Sequence, residues 1–534
     1  IRDRHNFDAL LGFSLQQDES NNISGYGKRA ASDLIHYVPW QGSVYDPDNN
    51  RALKDFTSDY QKSTMVGIFG RINYNYAKKY FIGATLRRDA SSRFGENVRW
   101  AWFPSYFVAW DIAKENFMNW SKNFLDNAKL RFSYGKTGRI FEFPYVAFGE
   151  LQQYLPFMGQ PTVTMEWNSG LENRNLTWEK TDQYDIGADF SFWGGRLTAV
   201  ADYYLKRTTG MLYNPEVPGT HTAVRRYWQN MFGVDNYGFE LELHADLIRN
   251  EKLNLNIGFN ISKNWNILTR SANGRDFKNP DARFANNLSI IGKGLYGIYA
   301  FDDRGIYNSQ NDVFRYWDGN VLKYLAGNGN AFYREGDRII MDVDGNGQIY
   351  NYGSLADDRI YIGPPQPAIQ GGFSSNLTYK NFDFNILFNY VIGKWILNTA
   401  KWASLGTTIE INPIDIAKPY LIDNLNKIHF WRYPGDKADF PRNAANVGLN
   451  NFASNLASNA QKVYYIQCQT ITLGYTIRKS IFNNTRIFFN VENPFTITNY
   501  KGNNPENTDP ATGIDRANAL PVSRQFTFGI SKEF

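Results

Sequence analysis

The side chains best spaced for chemistry in this sequence lie in one short run, Asp342-Val343-Asp344-Gly345-Asn346-Gly347-Gln348-Ile349. Oxygen donors stand at its first, third and fifth positions and a glycine at its sixth, which is how a calcium loop begins. A hard cation takes oxygen ligands, so Asp342, Asp344, Asn346 and Gln348 form a candidate set. The twelfth position, where a bidentate glutamate would close the loop, is Gly353, so closure falls to Asp357 or Asp358. The same run reads equally well as a hairpin, because Asp344-Gly345 and Asn346-Gly347 are both favoured turn dipeptides between Ile340 and Ile349.

Catalytic readings find little support. The five histidines, His5, His36, His221, His244 and His429, are scattered, and none sits at ligand or triad spacing with a nucleophile. Glu240 and Glu242 alternate along a stretch whose other face is leucine-rich, which suits the lining of a wet interior better than an acid–base pair. Gly292-Lys293-Gly294 and Ala326-Gly327-Asn328-Gly329-Asn330 lack the strand-to-helix context and the Lys-Ser/Thr of a phosphate cradle. The single Cys468 excludes an internal disulfide framework and thiolate zinc clusters. The expectation is therefore no enzyme and no redox or organic cofactor. A net charge of +5, from 57 basic and 52 acidic residues without a basic run, gives no case for nucleic acid.

The elements that must position these residues are strands. Aromatics make up 16% of the chain, yet its mean hydropathy is -0.49, a mixture that antiparallel sheets with one apolar and one wet face produce. No stretch approaches the roughly 18 consecutive apolar residues of a spanning helix, so a membrane crossing would be made by strands closing into a barrel. Period-two alternation supplies them. Phe239, Leu241, Leu243, Ala245 and Leu247 alternate with Glu240, Glu242, His244 and Asp246. After the turn Arg249-Asn250-Glu251-Lys252, Leu253, Leu255, Ile257, Phe259 and Ile261 alternate with Asn254, Asn256, Gly258, Asn260 and Ser262. Further segments centre near Leu11, Ile72, Leu86, Val108, Phe132, Ile186, Ala201, Leu377, Ile386, Leu473, Phe489 and Phe528, about fourteen in all.

Connections alternate in length. They are short at Trp193-Gly194-Gly195, 249–252, 379–382 and 479–484, and long around 139–180, 209–235, 265–368, 394–464 and 494–522. Outer-membrane barrels sort their connections this way, with short periplasmic turns and long extracellular loops. The last strand then runs toward the periplasm and ends on the aromatic Phe534. Ile1-Arg2-Asp3-Arg4-His5-Asn6-Phe7 has no signal-peptide pattern, which for an exported protein predicts a fragment.

Residues 66–118 carry a specific resemblance: Val66-Gly67-Ile68-Phe69-Gly70-Arg71-Ile72-Asn73-Tyr74, Lys79-Tyr80-Phe81, Leu86-Arg87-Arg88-Asp89-Ala90-Ser91-Ser92-Arg93-Phe94-Gly95 and Phe103-Pro104-Ser105. Leu130-Arg131-Phe132-Ser133-Tyr134-Gly135-Lys136-Thr137-Gly138, Trp178-Glu179-Lys180-Thr181, Gly238-Phe239-Glu240, Gly305-Ile306-Tyr307 and Asp357-Asp358-Arg359 with Gly363-Pro364-Pro365 follow in the same order. The sequence resembles the SusC/RagA family of TonB-dependent transporters over most of its length. That resemblance implies an all-β transmembrane antiparallel barrel of roughly 22 strands around an N-terminal plug. Residues 1–534 would be the later strands, with about eight strands, the plug, the TonB-contacting segment and the signal peptide outside this chain. An acidic loop near residues 342–349 also occurs in family members, where a calcium ion would stiffen it.

The resemblance implies an outer-membrane active importer of oligosaccharides or oligopeptides. A SusD-like surface lipoprotein would lid its mouth, the TonB complex would supply energy through the missing N-terminal part, and lipid would surround it. Aromatics in the long loops suit sugar stacking, peptide packing or docking of another protein; they include Trp228, Tyr296, Tyr299, Trp317, Tyr333, Trp395 and Trp402, with Trp228, Trp317, Tyr333 and Trp402 the candidate ligand contacts. Two alternatives are a passive porin or structural barrel, favoured if no plug precedes Ile1, and a soluble carbohydrate-binding β protein, which would need no detergent.

Overall fold

The computed structural model describes residues 4–27, 45–46, 51–52, 54–158, 160–166, 170–215, 224, 226–271, 274, 277–278, 288–327, 331–349, 358–399, 429–442, 455–478, 484–502, 504–515 and 522–532. Each of the fourteen alternating segments becomes a strand of one sheet. They are β1 (His5–Gly27), β2 (Lys54–Tyr76), β3 (Tyr80–Ser91), β4 (Trp100–Asp111), β5 (Leu125–Arg139), β6 (Glu179–Phe192) and β7 (Leu197–Tyr213). β8 (Gln229–Arg249), β9 (Leu253–Arg270), β10 (Ile369–Tyr379), β11 (Phe382–Asn398), β12 (Ala460–Ile477), β13 (Thr485–Thr498) and β14 (Gln525–Lys532) follow. They pair in chain order, and Ile514–Asp515 adds a fifteenth member alongside β11. Phe534 lies outside the described residues.

Sequential antiparallel pairing follows from the connections. At the short end the chain reverses in tight turns whose residues take the left-handed conformation, Ala77 and Lys78 at φ 53° and 55°, and Trp193, Gly194 and Gly195 at φ 55°, 67° and 78°. Such mirror-image turns match the twist of the strands they join. Lys380 between β10 and β11 has φ 53°. The β4–β5 connection on that side carries short 3-10 turns at Ile112–Lys114 and Asn116–Ser121.

The register fixes two chemically different faces. Leu11 stands opposite Gly70, Ile72 opposite Ala84, and Ile68 opposite Arg88. Along this face Leu11, Ile68, Ile72, Leu86, Trp100 and Trp102 are exposed, as a lipid-facing surface requires. On the other face Arg87 donates to both oxygens of Asp89 at 2.7 Å and to Ser14 at 3.1 Å. A one-residue slip would exchange the two faces, so alternation excludes odd shifts of register and the tight turns select among the even ones.

The chain divides into two compact units, Ile1–Ala109 with Phe132–Tyr184 and Arg207–Gly233, and Trp110–Arg131 with Asp185–Lys206 and Val234–Phe534. The first has a core in which Phe94, Phe103 and Phe141 pack around Trp178 and Leu176. The Trp178 ring lies 4.7 Å from Phe94 and 5.3 Å from Phe103, and its indole N–H donates to the Arg99 carbonyl at 2.9 Å. The largest core of the second unit lies in its long connections and is described next.

Candidate functional site

The wet face of the second unit is built from alternate residues of successive strands. Arg131 on β5 meets Asp189 on β6 at 3.1 Å and Asp202 on β7 at 2.8 Å, with Asp185 at 3.6 Å. Tyr204 donates to Asn264 at 3.0 Å, and Asn256 to Asp246 at 2.8 Å. Glu242 engages His244 at 2.6 Å on the same face. Arg486 donates to Asp383 at 3.0 Å. This is a polar, hydrogen-bonded wall carrying charges of both signs.

At the long-connection end, residues 298–327 and 331–349 fold into a lobe with its own interior. Ile298–Phe301 pairs with Arg359–Gly363, Asp303–Ile306 with Arg338–Ile340, and Arg315–Trp317 with Leu322–Tyr324. Phe301, Tyr307, Val313, Leu325, Tyr333, Ile340, Ile349 and Leu456 form its core. Burying a side chain of this kind contributes roughly 1.5–3 kcal/mol relative to exposure. Two ion pairs lock it, Arg338 to Asp303 at 2.9 Å and Arg442 to Asp337 at 2.6 Å, with Asp337 wholly buried. Burial pulls the Arg338 guanidinium below its usual value, against the opposing pull of Asp303. Burial likewise pushes the Tyr307 phenol up to about 12, which keeps it neutral.

The lobe presents a hairpin to solvent. Trp317, Val321 and Leu322 are 65%, 52% and 57% exposed at its tip. Asp318 closes the turn by accepting from the Asn320 and Val321 amides at 2.9 and 2.8 Å and by pairing with Lys323 at 2.5 Å. The Lys323 ammonium, followed by those two amides, holds the Asp318 carboxyl well below the carboxylate range.

Of the candidate ligand contacts, Trp317 is open to solvent. Tyr333 is not: at 1% exposure it is a core residue of the lobe and offers no face to a ligand, a correction to the reading of long-loop aromatics as a contact surface. Tyr299, also 1% exposed, is corrected in the same way. Trp228 is half-buried, its ring 4.7 Å from Phe141 and its carbonyl accepting from Asn173 at 2.8 Å. Trp402 lies outside the described residues, as do His36, His221, Gly353 and Asp357.

The acidic run does gather carboxylates. Asp342, Asp344 and Asp358 each place an oxygen within 4.8 Å of the others. The loop holds itself by Asx turns: Asp342 accepts from the Gly345 and Gly347 amides at 2.8 Å, and Asp358 accepts from Val343 at 2.9 Å. Asn346 adjoins these carboxylates, its side-chain amide donating to Asp344 at 2.9 Å and its oxygen accepting from the Gln348 amide at 2.7 Å. Gly345 and Gly347, at φ 74° and 81°, supply the left-handed backbone of both the hairpin and the calcium-loop readings. Sequence reasoning missed Asp337 and Arg442; nothing in their spacing marks them, because they meet across 105 residues.

An antiparallel sheet with an apolar exposed face, a hydrogen-bonded wet face, tight turns at one end and structured loops at the other defines a transmembrane β-barrel wall. The model of the family described as "TonB dependent receptor-like, beta-barrel" matches residues 2–493, and the chain belongs to that family of bacterial outer-membrane proteins. It is 28% identical over 548 residues to TonB-dependent receptor P3 of Formosa agariphila, covering 99% of this chain and 51% of the relative. To TonB-dependent receptor SusC of Bacteroides thetaiotaomicron it is 29% identical over 554 residues, covering 99% and 48%. It superposes on the solved RagAB peptide transporter with a TM-score of 0.76 at 22% identity, over 99% of this chain and 53% of that one. The resemblance to SusC/RagA proteins and the all-β antiparallel fold are thereby borne out. The chain spans about half the length of the curated relatives it matches.

Proposed function

We propose that this chain forms the later wall and the mouth of a TonB-dependent importer of large nutrients, oligosaccharides or oligopeptides, acting with a SusD-like surface lipoprotein. Its plug, first strands and TonB-contacting segment would come from a preceding part of the same receptor or from a second chain. The observation that carries the reading is the folded lobe over residues 298–327 and 331–349 in a chain of this family. A passive pore needs no such ordered mass at its mouth, whereas a receptor that captures solute and holds a partner needs a rigid, partly apolar surface. Trp317, Val321 and Leu322 supply that surface, and the polar wall of β5–β9 would pass hydrated solute. The RagAB protein is described as a peptide transporter; oligosaccharides and oligopeptides are the two substrate classes proposed.

Uptake of labelled oligosaccharides and oligopeptides by cells carrying the whole receptor, with and without a working TonB system, tests this. Import of one class that stops without TonB is expected. Import that continues without TonB would establish the passive-pore alternative instead.

We further propose that Asp342, Asp344 and Asp358 hold a structural calcium ion. Three carboxylates brought together otherwise repel, and a divalent cation removes that cost while stiffening the loop.

A further inference from the structure

We propose that the outward face of β1–β4 binds one phosphate-bearing lipid of the outer leaflet, with its headgroup on Arg88 and an acyl chain in the groove below. The proposal goes beyond nutrient import and holds whether or not solute passage is driven.

Arg87 and Arg88 are consecutive, so they point to opposite faces of β3. Arg87 is satisfied on the wet face by Asp89. Arg88 lies on the apolar face, opposite Ile68 and two residues above Leu86. Its guanidinium rests 4.8 Å from the Trp100 ring and 5.2 Å from the Trp102 ring, both about half exposed. Among the described residues no carboxylate or carbonyl engages it. A guanidinium facing lipid is costly unless an anion meets it, and the indole faces lower only part of that cost.

Its depth matches a headgroup. Arg88 is eight residues along β3 from Tyr80, the first residue after the tight turn. At roughly 3.3 Å per residue and a tilt of about 40°, this is roughly 20 Å along the membrane normal, most of an apolar band about 25 Å tall. The end of β3 where Arg88 lies is the one away from the short turn, and Trp100 and Trp102 stand there as an interfacial girdle. The anion in reach at that level is a lipid phosphate, which a planar guanidinium can meet with two parallel hydrogen bonds.

The second observation is a groove of about 700 Å³ on β1–β4. Small Ala9, Gly70 and Ala84 floor it, and Leu11, Ile72 and Leu86 wall it. Cross-strand pairs Leu11–Gly70, Gly70–Leu86 and Ile72–Ala84 set these on one face. Leu86 is also the next outward residue below Arg88, so groove and cation adjoin. A Cβ at Gly70 would meet nothing nearer than 3.9 Å, so the hollow has room there.

The test uses the whole receptor purified from outer membranes in detergent, with native mass spectrometry reading retained lipid. The probes are lipid A, the same lipid enzymatically dephosphorylated, and inorganic phosphate. Wild type should retain the phosphorylated lipid about tenfold more strongly than its dephosphorylated form, as expected of one charge-assisted pair. Arg88→Ala should abolish that preference and Arg88→Lys should keep part of it. Gly70→Leu, which fills the groove, should weaken both lipids alike. Equal retention of the two lipids by wild type, or an undiminished preference in Arg88→Ala, overturns the proposal. Inorganic phosphate displacing the lipid as effectively as added lipid A also overturns it, since that is an anion site without lipid recognition. If Arg88→Ala fails to assemble, Arg88→Lys decides the headgroup and Gly70→Leu the groove.

Discussion

Asp337 is a carboxylate with no exposed surface, held by Arg442 at 2.6 Å and by the Arg334 amide at 2.8 Å. Removing one partner of a buried pair leaves a charge with too little compensation, at a cost of about 3–5 kcal/mol. Arg442→Ala should therefore open the lobe to proteolysis while the strands stay protected, and limited digestion followed by mass mapping reads this directly. Glu506 offers a pH dependence. Burial raises its carboxyl above the ordinary value, against Gln467 and Lys394, which pull it down. The folded chain thus binds that proton more tightly than the unfolded one, so this contribution is present at acid pH and is lost as pH rises through the raised value. Hydrogen exchange over residues 504–515 should be slower below that value than above it, and Glu506→Gln should flatten the difference. For the acidic loop, calorimetric titration should show calcium binding that Asp342→Asn with Asp344→Asn removes; no heat in the wild-type receptor would refute the site.

At the level of single elements, Trp178 shows what a family motif does physically. It immediately precedes β6, fills the core between Phe94 and Phe103 and ties itself to the Arg99 carbonyl. Trp178→Ala should destabilise this unit by about 3–5 kcal/mol, through the cavity and the orphaned carbonyl together. The expected readout is a lower unfolding temperature in detergent, with Trp178→Phe intermediate. The motif around residues 178–181 was visible in the sequence, but its role was not, since Phe94 lies far off along the chain. The strands were legible because alternation is local: each of the fourteen apolar periods became one strand, and Glu240, Glu242 and His244 fell on the wet face as read. The lobe was not legible, because Tyr307, Tyr333 and Leu456 obey no period and meet only after the chain has folded back. Aromatics read there as contact residues divided accordingly, Trp317 to solvent and Tyr333 to the core.

Across the whole molecule, β1 and β14 each pair on one side only among the described residues. In lipid an unpaired edge leaves backbone donors and acceptors without partners, each costing several kcal/mol. Expressed alone, residues 1–534 should fail to assemble in outer membranes, and co-expression with the proposed preceding strands should restore the heat-modifiable mobility of a folded barrel. Assembly of the isolated chain would refute the division proposed here.

The contrast between the two ends of the strands has a practical consequence for engineering. At the tight end, Ala77, Lys78 and Trp193 already adopt a conformation that L-residues resist, and each turn fixes the pairing of the strands on both sides. Inserting residues there would shift a register and turn a membrane-facing row inward. At the other end the segment between β9 and β10 can lengthen without disturbing either strand, since closing a longer loop costs only about 0.6 kcal/mol per doubling. Foreign epitopes or affinity tags should therefore be accepted outside the ordered lobe on the loop side and rejected at the turns, which makes this wall a scaffold for display in one direction only.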